Sequence, residues 1–482
     1  MDVMFITNFT RKYSAVAGYI PLGILYLSSS LRAQGHRVHI TPARLERATK
    51  AIRRHRPKIV AFSSSTGDIG EYLELNRSLK REHDFMSVFG GPHPTHFPDI
   101  ISVDGVDAVC RGEGEEALCD LAERLESGRS CLDTRNFWFR RDGRIHRNPV
   151  RPLIRDLDSL PLPDRDLWFS LFPQVGQSPR KQFMAVRGCP YRCTYCFNHK
   201  FNDLYENRDI IRRKSVDGVV DEILDVVGKY PTQQIQFVDD TFNLDRDWLE
   251  ELCSKYAAKV KLPFFCNLRT NLVEEDTIKL LARAGCRVVA FGIESGNEHI
   301  RETVLKRQTT TQSFIRTADL LHKYNIRFLT FNMIGIPGET LDNMQETIDL
   351  NRRCRPDYAY ISIFQPYPTT DHTDEILTQR GDRPGDALDR PEIFPDSLHA
   401  SSMLPGKIRK DVKKLHRLFA LLVDFPELDI LGKMLMKLPY SPVLDVARKV
   451  HAACVYRKLY GFRLTPSQYL RAVGDTFFKN PV

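Results

Sequence analysis

Short apolar runs bounded by turn residues recur along the first 130 positions: DVMFITN, RVHIT, KIVAFSSS, FMSVFGG and VDAVCR. Each is rich in Val, Ile or Phe and too short for a helix, so each predicts a strand buried on both faces. Helical stretches lie around residues 22 to 34, 45 to 54, 71 to 81 and 114 to 128. Gly35 closes the first of these where a left-handed C-cap is favoured. Strands alternating with helices predict a doubly wound parallel sheet, whose ligands sit beyond the carboxyl ends of the strands.

The pattern changes over residues 136 to 175. FWFRRDGRIHR reads as a hairpin turning at Asp142-Gly143, and the proline-rich LDSLPLPDRDLW reads as a surface connector. From residue 176 to 370 strand and helix alternate again, in six rounds: QFMAVRG, QIQFVDD, FFCNLRT, RVVAFGIESG, IRFLTFNMIGIPGE and DYAYISIFQPYP. Polar or glycine residues at the end of each run predict a partial TIM-like (β/α)6 barrel with its site on the carboxyl rim. Residues 371 to 482 turn helical. There Lys407, Arg409, Lys410, Lys413, Lys414 and Arg417 flank LFALLVDF, and LDILGKMLMKLPYSPVL follows. Amphipathic helices packed against the barrel mouth are expected, with a lid or membrane-touching segment for a lipid or isoprenoid substrate as the sharper reading. Boundaries are thus expected near residues 135, 175 and 370.

Composition narrows the class. A chain of 482 residues with 42% hydrophobic positions can bury two or three cores. Met1 runs straight into a strand pattern, and no apolar run reaches membrane-spanning length, so no leader or span is expected. Eleven cysteines, an odd number without framework spacing, fit a reducing cytoplasm. The net charge of +9, from 70 basic against 61 acidic residues, is a mild bias. It suits an anionic substrate or peripheral membrane contact, and no nucleic-acid partner is expected.

The run CPYRCTYCFN sets Cys189, Cys193 and Cys196 within eight residues. Three such thiolates can grip three irons of a 4Fe-4S cube and leave the fourth open to a ligand that is not protein. A zinc knot would want a further ligand pair, and Cys253, Cys266, Cys286 and Cys354 stand alone. CxxxCxxC with an aromatic residue before its last thiol and another after it resembles the signature of the radical S-adenosylmethionine (SAM) superfamily. The resemblance implies that the amino and carboxylate groups of SAM chelate the open iron, and that one-electron reduction cleaves the sulfonium to a 5'-deoxyadenosyl radical. It also implies roles at the rim. Tyr195 is expected near adenine, the Phe197 backbone on the base, Asp240 beside Asp239 on the amine, and Arg269 on the carboxylate. Glu294 and Ser295 are expected at ribose or carboxylate, and the turn from Gly335 and Ile336 to Gly338 against adenine. A structural reading stands beside each, since strand-end acids often cap helices and Arg269 can bridge to Asp239 or Glu294.

Three loops leave the strand ends of the first sheet: Ser63-Ser64-Ser65-Thr66, Gly90-Gly91-Pro92-His93-Pro94 and Arg111-Gly112-Glu113-Gly114-Glu115. Small residues let backbone approach a large ligand, although many doubly wound sheets share them. Placed before such a core, PLGILYLSSSLRAQGHRVHI, GGPHPTHFP and CRGEGEEAL resemble the cobalamin-binding domain of one large radical SAM branch. The resemblance implies cobalamin against Ser63, Ser64, Gly90, Gly91, Pro92, Gly112 and Glu113. The DxHxxG sequence is absent, which implies cobalamin with its own base displaced and no histidine ligand. His93, between two prolines, is expected to be wall rather than axial ligand.

The resemblance therefore implies a cobalamin-dependent radical SAM methyltransferase acting on an unactivated carbon of a small-molecule or lipid intermediate. Such an enzyme takes electrons from a donor such as flavodoxin or ferredoxin. Relatives with the same cofactors catalyse cyclisation, ring contraction or oxidation instead. A methylthiotransferase would need a second cluster, for which Cys110, Cys119 and Cys131 are the candidates. The remaining alternative is a non-catalytic iron-sulfur or zinc module.

Overall fold

Successive residues of the first apolar runs bury on opposite faces, which explains runs that are apolar throughout rather than alternating. Val3 and Phe5 join one apolar layer, with Leu25, Leu31 and Leu121. Met4 and Ile6 join the other, with Ile52, Tyr72 and Leu79. The structure is a computed structural model and describes residues 1–8, 18–205, 210–365, 370–373, 378, 408–437, 443–461 and 463–474. Lys407, the last three residues of DYAYISIFQPYP and the LPYSP stretch lie outside the described residues.

Five parallel strands open the chain: β1 (Asp2–Thr7), β2 (Arg37–Pro42), β3 (Ile59–Ser63), β4 (Met86–Gly90) and β5 (Ala108–Cys110). Their order is β2-β1-β3-β4-β5, so the winding reverses between β1 and β3, the place where such sheets take ligands. Helices Leu22–Ala33 and Glu115–Glu126 cover one face, Leu45–His55 and Ile69–Lys80 the other. The hairpin β6 (Phe137–Arg141) and β7 (Arg144–Arg147) turns at Asp142 and Gly143, both at positive φ, and pairs antiparallel onto β5. It therefore extends the first sheet, because Phe137 and Phe139 bury in the apolar layer while Arg111 and Arg147 stack on Trp138.

The second sheet is entirely parallel, and its strands neighbour one another in chain order. They are β8 (Arg180–Phe183), β11 (Gln234–Phe237), β12 (Phe264–Asn267), β13 (Cys286–Glu294), β14 (Arg327–Ile334) and β15 (Tyr358–Ile363). A small antiparallel pair, β9 (Val186–Arg187) and β10 (Arg212–Arg213), borders the loop that follows β8. Helices Val216–Lys229, Arg246–Lys259, Glu275–Ala284, Thr311–Lys323 and Leu341–Cys354 form the outer layer. Ser215, Asp245, Thr310 and Thr340 accept backbone N–H groups at four of their N-termini. The chain is thus α/β: a doubly wound sheet, a partial (β/α)6 barrel and a helical C-terminal region.

The C-terminal helices depart from expectation. Ile408–Asp424 buries Val412, Leu415 and Phe419 against Ile361 and Ile363 of β15 and against Ile348 of the last barrel helix. Val443–Tyr460 sets Ala452 and Leu459 against Phe265, Val288, Ala290, Leu329 and Tyr358. Those strand residues alternate with the ones facing the outer helices, so they line the concave side near the amino ends of the strands. Among the described residues the helices therefore close the floor and flank of the barrel, not its mouth. The open concave face is apolar at its floor and polar at its rim, and apolar helix faces follow the apolar end.

Candidate active site

The cysteine loop is positioned from several directions. Gly188 precedes it at φ +96°, where a Cβ would stand 2.2 Å from the Ile210 carbonyl, so only glycine fits. Cys189 and Cys193 are buried, Cys196 is half-buried, and all three thiols are free. Cys196 caps the short helix Phe197–Asn202, with the Asn198 N–H 3.5 Å from its Sγ. Thr194 donates to the Leu305 carbonyl at 3.1 Å and through its hydroxyl to Val304 at 2.8 Å. Asp371 then binds Lys200 at 3.1 Å and Lys306 at 3.3 Å and donates its N–H to Thr194. Burial pushes the Cys196 thiol up to about 12 and raises Cys189 as well. Thiolates there call for positive iron beside them. Among the described residues no three His, Cys, Asp or Glu side chains converge on a single-ion site, and the thiolates of a cube each take a different iron.

Around the loop the strand ends of the barrel bring together most of the expected residues. The Tyr195 ring packs with Ile300, Leu305, Met333, Ile336 and Phe364. Its hydroxyl accepts from Arg307 at 3.2 Å, and the same guanidinium donates to the Gly292 carbonyl at 2.6 Å and lies 4.0 Å from Glu294. Glu294 holds φ +67°, and a Cβ on Gly292 would fall 2.0 Å from its carboxylate. Burial raises the Glu294 carboxyl against the pull of Arg307 and Tyr195. Arg269 stacks on Tyr191 at 3.6 Å, donates to Asn271 at 3.1 Å and reaches Cys193 Sγ at 3.8 Å. Its other terminal nitrogen, Nη2, is buried without a partner among the described residues. Of the two structural bridges considered for it, neither Asp239 nor Glu294 pairs with it among the described residues.

Other expected residues are spent differently. Asp239 accepts the N–H groups of Ala185 and Val186, and burial raises its carboxyl to about 7, whereas the exposed Asp240 accepts from Asn198 at 3.0 Å. Ser295 is fully buried, and its carbonyl accepts from Arg301 at 2.7 Å. The N–H groups of Gly335 and Ile336 both donate to Glu339, at 2.6 and 3.1 Å, so the turn meets any ligand with other atoms. Arg301, Arg307 and Glu339 were not singled out from sequence. Arg301 and Arg307 lie outside the strand ends, and only the neighbouring glycine turn hinted at Glu339.

The first sheet adds two adjoining cavities at its strand ends. One of about 310 Å³ is lined by Ser63, Gly90, Gly91, Gly112 and Glu113, by apolar residues such as Phe5, Leu22 and Leu118, and by Met184, Arg187 and Phe201 from beside the cysteine loop. The other, about 320 Å³, takes Ser64 and Pro92 with Asn8, Asp68 and Tyr72. Gly91, at φ +95°, makes their lips approach: a Cβ there would sit 2.9 Å from the Ser64 nitrogen. Glu113 has a second employment, since Arg187 and Arg212 bind its carboxylate at 2.9 and 2.7 Å and Ile154 donates at 3.0 Å. Arg187 also binds Glu115 at 2.7 Å, and Tyr205 accepts the Glu113 N–H at 3.2 Å. His93 lines neither cavity. It is buried with Nδ1 3.2 Å from the Thr66 hydroxyl, and burial lowers it to about 4. His96 stacks instead on Phe197, centroids 5.0 Å apart. Cys110, Cys119 and Cys131 are packed within the apolar layer of the first sheet.

Comparison with known proteins bears on the same segments. A model of the Radical SAM superfamily matches residues 184–350, and one of the B12 binding domain matches residues 14–122. An uncharacterized methyltransferase of Pyrococcus horikoshii is 30% identical over 362 residues, covering 73% of this chain and 77% of that protein. An anaerobic magnesium-protoporphyrin IX monomethyl ester cyclase of Rubrivivax gelatinosus is 26% identical, covering 78% and 70%. Among solved structures, the cobalamin-dependent S-adenosylmethionine radical enzyme OxsB, with aqua-cobalamin and S-adenosylmethionine bound, superposes with a TM-score of 0.63 at 16% identity. That likeness in fold covers 98% of this chain and 74% of the other.

Proposed function

This chain belongs to the radical SAM superfamily, in the branch that carries a B12-binding domain, and on that premise we propose that it transfers a methyl group to an unactivated carbon of a small-molecule or lipid intermediate. Its cofactors are a 4Fe-4S cluster, S-adenosylmethionine and cobalamin. The observation that carries the methyl-transfer reading is the cavity of about 310 Å³ whose wall is shared by the first sheet and by Met184, Arg187 and Phe201 beside the cysteine loop. A methyl carrier held there would adjoin the barrel mouth. The Pyrococcus horikoshii methyltransferase supports the same reading.

The residues present fit these groups. Cys189, Cys193 and Cys196 would hold the cluster. The unpartnered Arg269 Nη2 suits a carboxylate, Asp240 an ammonium, and Glu294 a ribose hydroxyl. Tyr195, Met333, Ile336 and Phe364 offer a flat apolar wall for adenine, and glycine lips over Phe5, Leu22 and Leu118 suit a displaced aromatic base. When bound, the cofactors supply a radical that takes hydrogen from carbon and a methyl group to replace it. The chain's own contribution is placement. Arg307 ties Tyr195 to the Gly292 strand end and Glu294, Gly292 leaves room for the Glu294 carboxylate, and the packed wall around Tyr195 keeps water from the mouth. A flavodoxin or ferredoxin is the proposed electron donor.

Cyclisation without methyl transfer is the second reading, favoured by the Rubrivivax gelatinosus relative. The test is anaerobic reconstitution with iron, sulfide and hydroxocobalamin, then product analysis with SAM and dithionite. The expected result is 5'-deoxyadenosine together with S-adenosylhomocysteine and about one cobalamin retained per chain. Deoxyadenosine with retained cobalamin but no S-adenosylhomocysteine in the presence of substrate would overturn methyl transfer in favour of cyclisation.

A further inference from the structure

We propose that the helices Asp429–Lys437 and Val443–Tyr460 are a docking surface for an anionic lipid bilayer. The second helix carries apolar side chains on its outer as well as its inner side. Ala452 and Leu459 are spent on the barrel floor. Val446 and Val450, on the opposite side, are 53% and 48% exposed. On the shorter helix Ile430 and Met434 are 76% and 59% exposed, and Phe425, just before it and 41% exposed, meets His451 of the longer helix with ring centroids 6.1 Å apart. Large aliphatic side chains at such exposure on two consecutive helices make a patch that water solvates poorly.

Charge selects the occupant. Residues 408–482 hold fourteen Lys and Arg against six Asp and Glu, a net +8 out of +9 for the whole chain. An anionic bilayer offers a negative surface with apolar depth beneath it and matches both features at once. A nucleic acid would satisfy the charge and leave the aliphatic side chains in water. A second copy would satisfy the apolar patch and bring a like charge against it. Among the described residues no helix is long and apolar enough to cross a membrane, so the helices would lie in the interfacial plane.

Flotation of the full-length, cofactor-loaded protein with vesicles tests this. The vesicles are phosphatidylcholine alone or phosphatidylcholine mixed with phosphatidylglycerol. The expected result is retention on the mixed vesicles alone, weakened at least about tenfold by high salt. Two double variants, Ile430→Asp with Met434→Asp and Val446→Asp with Val450→Asp, should each abolish retention. SAM cleavage and circular dichroism should stay at the parent's level, because these side chains face outward. Absence of retention, or equal retention of parent and variants, overturns the proposal. So does a dimer in lipid-free solution that the same substitutions dissociate, which would give the patch to a second copy.

Discussion

Single side chains at the barrel mouth carry separable duties. Arg269 offers a buried, unpartnered nitrogen beside Cys193. Replacing it with Met should weaken SAM binding by roughly 10- to 100-fold, the worth of a charge-assisted hydrogen bond. Equilibrium binding to the reconstituted protein measures this, with iron content expected to hold at the parent's value. Glu339 acts on the backbone. Burial raises its carboxyl from an ordinary 4.5 to about 8, against the two N–H groups it accepts. The fold thus favours the protonated form, so its contribution to stability is full below 4.5 and is lost as pH rises through about 8. Glu339→Gln keeps an acceptor for those N–H groups and cannot ionise. Across that window it should lose roughly 2–4 kcal/mol less stability than the parent, read from denaturant unfolding at both ends. The clustering of the three cysteines and the ends of the strands were legible in the sequence because cysteine spacing and strand termini are local. Arg307 was not, since its partners Tyr195 and Gly292 come to it through the fold.

At the level of elements, the loops of one sheet are cut to fit the other. Gly112 sits at φ +75°, and a Cβ there would lie 2.1 Å from the hydroxyl of Tyr205, three residues past the helix Phe197–Asn202. Gly112→Ala should therefore cost about 1–3 kcal/mol in chemical unfolding, and adding Tyr205→Phe should restore part of it by removing the clashing oxygen. Sequence pattern marked Gly112 as a place of close approach, but pattern is silent on what approaches. The same blindness affected the C-terminal helices. The amphipathic face of Ile408–Asp424 was evident, whereas the choice of floor over mouth depends on which concave residues stay apolar, among them Phe265, Val288 and Leu329. The hairpin at Asp142-Gly143 was read correctly from its turn, and its pairing with β5 follows only from the burial of Phe137 and Phe139.

In the molecule as a whole, Glu113 joins the halves. Burial pushes its carboxyl up, but Arg187 and Arg212 outweigh it and hold it below its ordinary value. This contribution is present above the ordinary carboxylate range and lost as pH falls through the lowered value. Glu113→Gln leaves Arg212 with no carboxylate among the described residues, which should cost roughly 3–5 kcal/mol. Urea unfolding should then move to a lower midpoint, although the Arg187–Glu115 pair still spans the two sheets. There is also an order in time. The thiols of residues 189–196 leave the ribosome well before Val304, Leu305 and Lys306, and long before Asp371, yet those later residues brace their loop. A chain that ended before those residues would present the loop without that bracing. A truncation before residue 370 would keep the three thiols proposed to hold the cluster and lose Asp371, part of the frame that keeps their loop in place.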